Sequence, residues 1–147
     1  MKNNEFIKFL ILAKKSTYPK TKAYKKDGAK IFSFKKGDLE YHDTYYGSDT
    51  FSGIEIVFYR KKPIWSMSYF GGLTHREEKN EIYSFLKKAL SFVSKKNIYR
   101  GPKKFQEKDF IYKNISSGNL ENFSGKEFIY KNEKLVYHLK YIGGFIK

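Results

Sequence analysis

The chain has 147 residues, a length typical of one domain, and 40% of them are hydrophobic and 19% aromatic. So many large apolar side chains exclude a disordered polar tail, and we expect a single domain over residues 1–147. The lack of cysteine excludes a disulfide framework and thiolate metal sites. The formal net charge of +15 favours an anionic partner.

The first part of the chain predicts one helix and then a β-rich region. Apolar residues fall on one helical face over residues 4–15, with Lys14 and Lys15 in the last turn. Residues 16–30 contain Pro19, Gly28 and many lysines, and we predict a long loop there. Alternating apolar residues from Ile31 onward, broken by turn residues, predict strands that form an antiparallel meander up to Phe70.

The second part repeats this arrangement after a central helix. Thr74 and Glu77 have capping-box spacing, and apolar residues then recur every three or four positions, so we predict a helix over 76–94. Alternation resumes at Phe105, and a hairpin is expected about Asn132-Glu133. A second three-stranded meander follows from this pattern.

An internal repeat links the two β regions, residues 37–72 and 108–144. The matching residues are Asp38-x-x-Tyr41 with Asp109-x-x-Tyr112, Phe51-Ser52-Gly53-x-Glu55 with Phe123-Ser124-Gly125-x-Glu127, and Tyr69-x-Gly71-Gly72 with Tyr141-x-Gly143-Gly144. The predicted class is α+β, a duplicated three-stranded antiparallel β-meander with an N-terminal helix and a central helix packed on the sheet. The two units are expected to share one sheet or to face each other.

Most of the positive charge lies in two segments. Residues 14–36 hold nine Lys and one Asp, and residues 95–104 hold four Lys and one Arg without an acid. Tyrosines lie between these cations, and aromatic faces beside Lys and Arg suit stacked bases and phosphates, although lysines can also serve solubility alone. The predicted nucleic-acid or partner surface comprises Lys14, Lys15, Tyr18, Lys20, Lys22, Tyr24, Lys25, Lys26, Lys95, Lys96, Tyr99, Arg100, Lys103 and Lys104.

A second candidate site is an aromatic face that could hold a small ligand. It would comprise Tyr41, Trp65, Tyr69 and Tyr137, and ordinary core packing is the alternative interpretation of the same residues.

Catalysis and metal binding have little support in the sequence. Asp43 and Glu55 could serve a small hydrolase, but the repeated Phe-Ser-Gly-x-Glu favours a hairpin cap, with glycine at positive φ and the carboxylate paired with backbone N–H groups or a lysine. No serine-nucleophile motif occurs, and the three histidines lack metal-ligand spacing. We therefore predict no catalytic residue, no metal site and no cofactor, and a protein that is not an enzyme.

Four segments together resemble a bacterial domain family of unknown function: Leu12–Tyr18, Gly37–Glu55, Trp65–Gly72 and Tyr99–Pro102. In that family similar domains occur alone or behind an N-terminal helix-turn-helix in proteins labelled as transcriptional regulators. The resemblance implies no active site. This sequence has a Lys-rich segment over 19–30 where the family has a Gly-rich loop.

In character the chain is also similar to phage-borne inhibitors of RNA-guided CRISPR nucleases, including type VI effectors. A basic surface can occupy guide RNA or an acidic face of the effector without chemistry. The expected function is thus a non-enzymatic basic protein that binds RNA, a nucleoprotein or an acidic protein surface, plausibly as an anti-CRISPR inhibitor. The alternative is a ligand-binding or regulatory domain of a transcription-regulator family.

The sequence also bears on location and assembly. There is no run of about 18 apolar residues, and residues 6–13 lack a signal-peptide cleavage site, so no membrane partner is expected. We expect the protein in the cytoplasm of a bacterial host cell. The sequence leaves the oligomeric state open.

Overall fold

The fold is taken from a computed structural model that describes residues 2–18 and 22–147. The elements in chain order are α1 (Asn3–Thr17), β1 (Tyr24–Lys26), β2 (Ala29–Lys36), β3 (Leu39–Gly47), β4 (Thr50–Tyr59), β5 (Lys62–Leu73), α2 (Lys79–Leu90), β6 (Lys104–Glu107), β7 (Phe110–Asn119), β8 (Asn122–Lys131) and β9 (Lys134–Phe145). An antiparallel sheet with two helices makes up the described residues, which confirms the α+β class.

All the strands lie in one sheet, in the order β1-β2-β3-β4-β5-β9-β8-β7-β6. The range 37–72 supplies β3 to β5 and the range 108–144 supplies β7 to β9, and the two groups meet where β5 pairs antiparallel with β9. The structure extends each group beyond three strands, with β1 and β2 at one edge and β6 at the other. The two repeats therefore share a single sheet.

Equivalent two-residue turns close the β4–β5 and β8–β9 hairpins. Arg60 and Lys61 both have positive φ, and so do Asn132 and Glu133. Two consecutive residues at positive φ match the right-handed twist of the flanking strands. The hairpin predicted about Asn132-Glu133 is confirmed.

The predicted loop over 16–30 is wrong at residues 16–17, 24–26 and 29–30, and its residues 19–21 lie outside the described part of the chain. The α1 helix continues to Thr17, β1 begins at Tyr24 and β2 begins at Ala29. Lysines do not prevent strand formation when the strand lies at a sheet edge, and β1 is such an edge strand with all its side chains exposed.

The predicted capping box is also wrong. The central helix α2 spans Lys79–Leu90 and not 76–94, and its N-cap is Glu78, in a left-handed conformation without a side-chain cap bond. Thr74 instead donates its hydroxyl hydrogen bond to the carbonyl of Leu135, 2.8 Å away. The Thr74 side chain thus ties the end of β5 to β9.

Both helices cover the same face of the sheet. Phe6 of α1 packs against Trp65 and Phe145, and Phe85 of α2 packs against Phe105 and Phe110. The core lies between this face and the helices. Neither helix among the described residues is long and apolar enough to span a membrane.

Candidate functional site

The face of the sheet turned away from the helices, here called the open face, carries ordered cross-strand rows. Along β3, β4, β5, β9, β8 and β7, one row is formed by Tyr46, Ser52, Phe70, Lys140, Lys126 and Ile115. The adjacent row is formed by Thr44, Ile54, Ser68, Ile142, Ser124 and Ser117.

Large apolar side chains on this open face are exposed. The exposed fraction is 53% for Tyr46, 61% for Phe70, 62% for Ile142 and 68% for Ile115. An open cavity of about 650 Å³ lies among these rows, lined in part by Tyr46, Phe70, Lys140 and Ile142. Isolated exposed apolar residues are ordinary, but several on one face of a sheet make that face a candidate interaction surface.

The charges of the two rows are all positive. Lys126 and Lys140 stand directly opposite each other on β8 and β9, and both are exposed. Neither lies within 4.0 Å of a carboxylate in residues 2–18 and 22–147. Like charges directly opposite on neighbouring strands repel each other, so an anion bound between them would relieve this repulsion.

The covered face of the sheet contains a buried polar centre, formed by Lys14, Asp43, Glu55, Arg100 and Glu127. Lys14 Nζ lies 2.6 Å from Glu55 Oε2, and Arg100 Nη2 lies 2.6 Å from Glu127 Oε1. Lys14 also donates to the carbonyl of Tyr99. These bonds hold α1 and the segment 99–101 on the sheet.

The two glutamates occupy equivalent repeat positions but have different partners. Tyr112 and Tyr137 each donate a 2.6 Å hydrogen bond to Glu127. In the repeat, Tyr41 matches Tyr112 and Trp65 matches Tyr137. Tyr41 and Trp65 are fully buried, and the Tyr41 hydroxyl and Trp65 Nε1 have no hydrogen-bond partner in the described part of the chain. The two repeats have therefore diverged at their centres.

Glu55 is held instead by residues of and next to α1. Besides the Lys14 ammonium group, the hydroxyl of Tyr18 donates to Glu55 Oε1 over 3.2 Å. Burial lowers the pKa of Lys14, while the adjacent Glu55 opposes that change.

The repeated glycines provide space for a tyrosine. Tyr69 lies across Gly53 and donates to Asp43 Oδ1 at 2.5 Å, and Tyr141 lies across Gly125 and donates to Asn114 Oδ1 at 2.8 Å. A Cβ on Gly53 would lie 2.4 Å from the Tyr69 hydroxyl oxygen, and one on Gly125 would lie 2.2 Å from that of Tyr141. The expectation that Phe-Ser-Gly-x-Glu caps a hairpin with its glycine at positive φ is wrong, because Gly53 and Gly125 lie within β4 and β8, where the missing side chain makes room for a tyrosine.

Asp43 and Asn114 occupy equivalent positions in the two repeats, and of the two only Asp43 is ionisable. Burial raises the pKa of Asp43 to about 7, and the charge of Glu55, directly opposite Asp43 in the register, is the second cause. The Tyr69 hydrogen bond and the charges of Arg100 and Lys14 act in the opposite direction. Asp43 and Glu55, the two carboxylates of the hydrolase alternative, are thus direct neighbours on β3 and β4. However, Glu55 is fully buried and already holds the Lys14 ammonium group.

The predicted basic surface is only partly exposed. Lys14 is 0% and Arg100 5% exposed, so placing these two cations on a phosphate-binding surface was wrong. Lys14 compensates the charge of the buried Glu55, and Arg100 compensates that of the buried Glu127. The lysines that are exposed comprise Lys15, Lys22, Lys25, Lys26, Lys95, Lys96, Lys103 and Lys104. Lys20 lies outside the described residues.

Three of the exposed lysines lie on opposite edge strands of the sheet. Lys25 and Lys26 lie in β1 and Lys104 lies in β6, which are the two opposite edges of the sheet. The ends of the two basic segments do meet in the interior, where the Arg100 guanidinium carbon lies 6.0 Å from the Tyr18 ring centre.

The tyrosines predicted for stacking have different environments. Tyr99 stacks on Phe123 with ring centres 3.8 Å apart, and Tyr18 contacts Glu55, so both are engaged within the protein. Tyr24 is 67% exposed, on β1.

The predicted ligand face is buried. Tyr41, Trp65 and Tyr137 have no exposed surface and Tyr69 has 5%, so an accessible face of these four residues was wrong and core packing was the correct interpretation. Their strands present the opposite face to solvent. The alternation of Ser66, Ser68 and Phe70 with the aromatic residues of β5 was a signal from which the open face could have been found.

Comparison with known proteins identifies a family. The model of a domain of unknown function, DUF5680, matches residues 43–146. The chain belongs to the DUF5680 family. The resemblance to a family of unknown function is thereby confirmed, and the DUF5680 range contains both rows of the open face and both glutamates, while α1 precedes it. No curated protein and no solved structure matches the chain.

Proposed function

We propose that this DUF5680 protein is a non-enzymatic binding protein that holds the phosphate backbone of a nucleic acid against its open face. The observation that carries the proposal is the Lys126–Lys140 pair, two exposed lysines directly opposite each other without a carboxylate within 4.0 Å among the described residues. A phosphate placed between them would remove the repulsion between like charges.

The charge of the whole chain supports the same partner class. A formal net charge of +15 attracts polyanions over distances comparable to the Debye length. Phosphate contacts supply affinity without sequence information, so binding should weaken steeply with salt and should depend little on base sequence.

The test compares two double variants with the same change in charge. Lys126→Glu/Lys140→Glu alters the open face, and Lys95→Glu/Lys96→Glu alters a predicted basic segment. All four lysines are exposed. Binding of labelled RNA at low salt, measured by fluorescence anisotropy, should fall more than 10-fold in the first variant and less than 3-fold in the second. The opposite ranking would move the site to the basic segments.

Inhibition of an RNA-guided nuclease is a narrower form of this proposal. A protein that covers guide RNA or competes for the target strand can block such an enzyme without chemistry. We expect wild-type protein to reduce target cleavage by a type VI effector in vitro, and the Lys126→Glu/Lys140→Glu variant to have lost this effect. If cleavage is undiminished at saturating protein, the proposed nuclease inhibition is wrong and only the proposed nucleic-acid binding remains.

A further inference from the structure

The open face also carries an arrangement of aromatic side chains that the phosphate contacts do not use. Tyr46 and Phe70 lie in the same cross-strand row, on β3 and β5, with only Ser52 of β4 between them. Neighbouring strands are about 4.8 Å apart, so the backbone positions of the two residues are about 10 Å apart across the sheet. A serine side chain is too short to fill the space between two rings that are both more than half exposed.

We propose that the open face selects single-stranded nucleic acid by stacking unpaired bases on Phe70 and Tyr46. This inference rests on the proposed function and names its ligand class. Base stacking on aromatic side chains is tolerant of sequence because every base has a π-face, and it requires bases that are not already stacked within a duplex.

The position of Phe70 links stacking to phosphate binding. Phe70 is directly opposite Lys140, and Lys140 is directly opposite Lys126, on three successive strands. The row therefore passes from an aromatic half to a cationic half. A strand lying along this row would place bases over the rings and its backbone over the lysines, which is the combination used by sheet surfaces that bind single strands.

Polar side chains of the adjacent row fit the same ligand. Its hydroxyl groups come from Thr44, Ser68, Ser124 and Ser117. Hydroxyl groups donate to phosphate and sugar oxygens as well as to base edges. The two rows contain no carboxylate that would repel a phosphate backbone.

The same charges argue against a second copy of the chain as the occupant. Two open faces packed together would bring two Lys126–Lys140 pairs into one interface, and the two rows offer no carboxylate to compensate them. Buried, unpaired cations oppose association strongly. An anionic and partly aromatic ligand satisfies both halves of the row.

The test uses an aromatic double variant and a matched control. Phe70→Ala/Tyr46→Ala removes both rings from the open face, while Phe92→Ala removes a ring of comparable exposure outside it. Affinities for labelled single-stranded RNA and for duplex RNA of equal length are measured by anisotropy. We expect Phe70→Ala/Tyr46→Ala to weaken single-strand binding by about 10- to 100-fold and duplex binding by less than 3-fold, with the control unchanged.

Folding is controlled separately. Circular dichroism and Tm are compared with wild type, and the conservative variant Phe70→Tyr/Tyr46→Phe, which keeps both rings, should retain single-strand binding. Loss of binding in the conservative variant as well would show that the rings do not act by stacking.

The remaining outcomes distinguish the inference from the proposed function. If single strands and duplexes bind equally and neither responds to Phe70→Ala/Tyr46→Ala, the stacking inference is wrong and polyanion binding stands. If neither nucleic acid binds wild type at low salt, the proposed function itself fails. If sedimentation shows a wild-type dimer that Phe70→Ala/Tyr46→Ala dissociates, the open face is a self-interface and the inference is overturned.

Discussion

The bonds of single residues explain how the repeated motif can keep a buried glutamate. Glu127 accepts hydrogen bonds from Tyr112 and Tyr137 and pairs with Arg100, so a fully buried carboxylate is satisfied by three donors. Glu55 has an ammonium group and one tyrosine instead. A buried charge persists only when paired in this way, because its desolvation is otherwise uncompensated.

Asp43 makes stability depend on pH. Its carboxyl has an ordinary pKa of 3.8 in the unfolded chain and about 7 in the folded protein. The folded state thus binds the proton more tightly, and this residue makes the free energy of unfolding decrease as pH rises from about 4 to about 7. Asp43→Asn, which reproduces the neutral Asn114 of the other repeat, should be more stable than wild type at pH 8 by about 1–3 kcal/mol.

Urea denaturation of wild type and Asp43→Asn at several pH values measures this difference. The advantage of the variant should shrink toward pH 4, where the wild-type carboxyl is protonated. The exposed substitution Asp27→Asn serves as the control and should show no such trend. A stability difference that is independent of pH would contradict the assignment.

Gly125 tests the steric function of the repeated glycines. In Gly125→Ala the new Cβ would meet the end of the Tyr141 ring, and Tyr141 is almost fully buried and bonded to Asn114, so it has little freedom to move. We expect a loss of about 1–3 kcal/mol in the free energy of unfolding. Ser124→Ala, at the exposed neighbouring position, should change it by less than about 0.5 kcal/mol. Equal stability of the two variants would be inconsistent with this steric function.

At the scale of elements, α1 is attached to the sheet by a buried ion pair as well as by apolar packing. Lys14→Met would leave the Glu55 carboxylate buried without its cation, and we expect a loss of about 3–5 kcal/mol. Lys15→Met changes the exposed neighbour and should have an effect near zero. Chemical denaturation followed by circular dichroism compares them, and similar stability of the two variants would show that the pair does not hold α1.

The helices and strands could be predicted from the sequence more fully than the contacts that their side chains make. Hydrophobic periodicity located both helices and most strands, because a buried face imposes a period on any element. Lys14 follows Phe6 and Leu10 at four-residue spacing, so its position on the buried face could have been derived from the same pattern. The burial of Arg100 had no such signal, because a non-periodic segment places its side chains by long-range contacts alone.

The predicted basic surface was wrong in part for a related reason. Charge counted along a sequence ignores sheet order, and β1 and β6 lie at opposite edges. Lys126 and Lys140 belong to neither basic segment, and they become a pair only through the register of β8 and β9. Repeats and alternation can be derived from one sequence, whereas the registers that assemble the open face depend on the tertiary fold.

For the whole molecule, both helices pack on one face of the sheet, and no helix of the described residues covers the other face. The exposed edge strand β1 carries Lys25 and Lys26, and lysines at a sheet edge discourage pairing with another chain. In the proposed function the nucleic acid binds the open face, where aromatic and cationic residues lie in one row.

The most direct test of this account is the salt dependence of single-stranded RNA binding by wild type, Lys126→Ala/Lys140→Ala and Lys95→Ala/Lys96→Ala. Each phosphate contact contributes about 0.7 to the slope of log K against log salt for single strands. We predict that the slope of the open-face variant is shallower by about 1.4, while that of the other variant equals wild type. An unchanged slope in Lys126→Ala/Lys140→Ala would show that the open face does not contact the phosphate backbone.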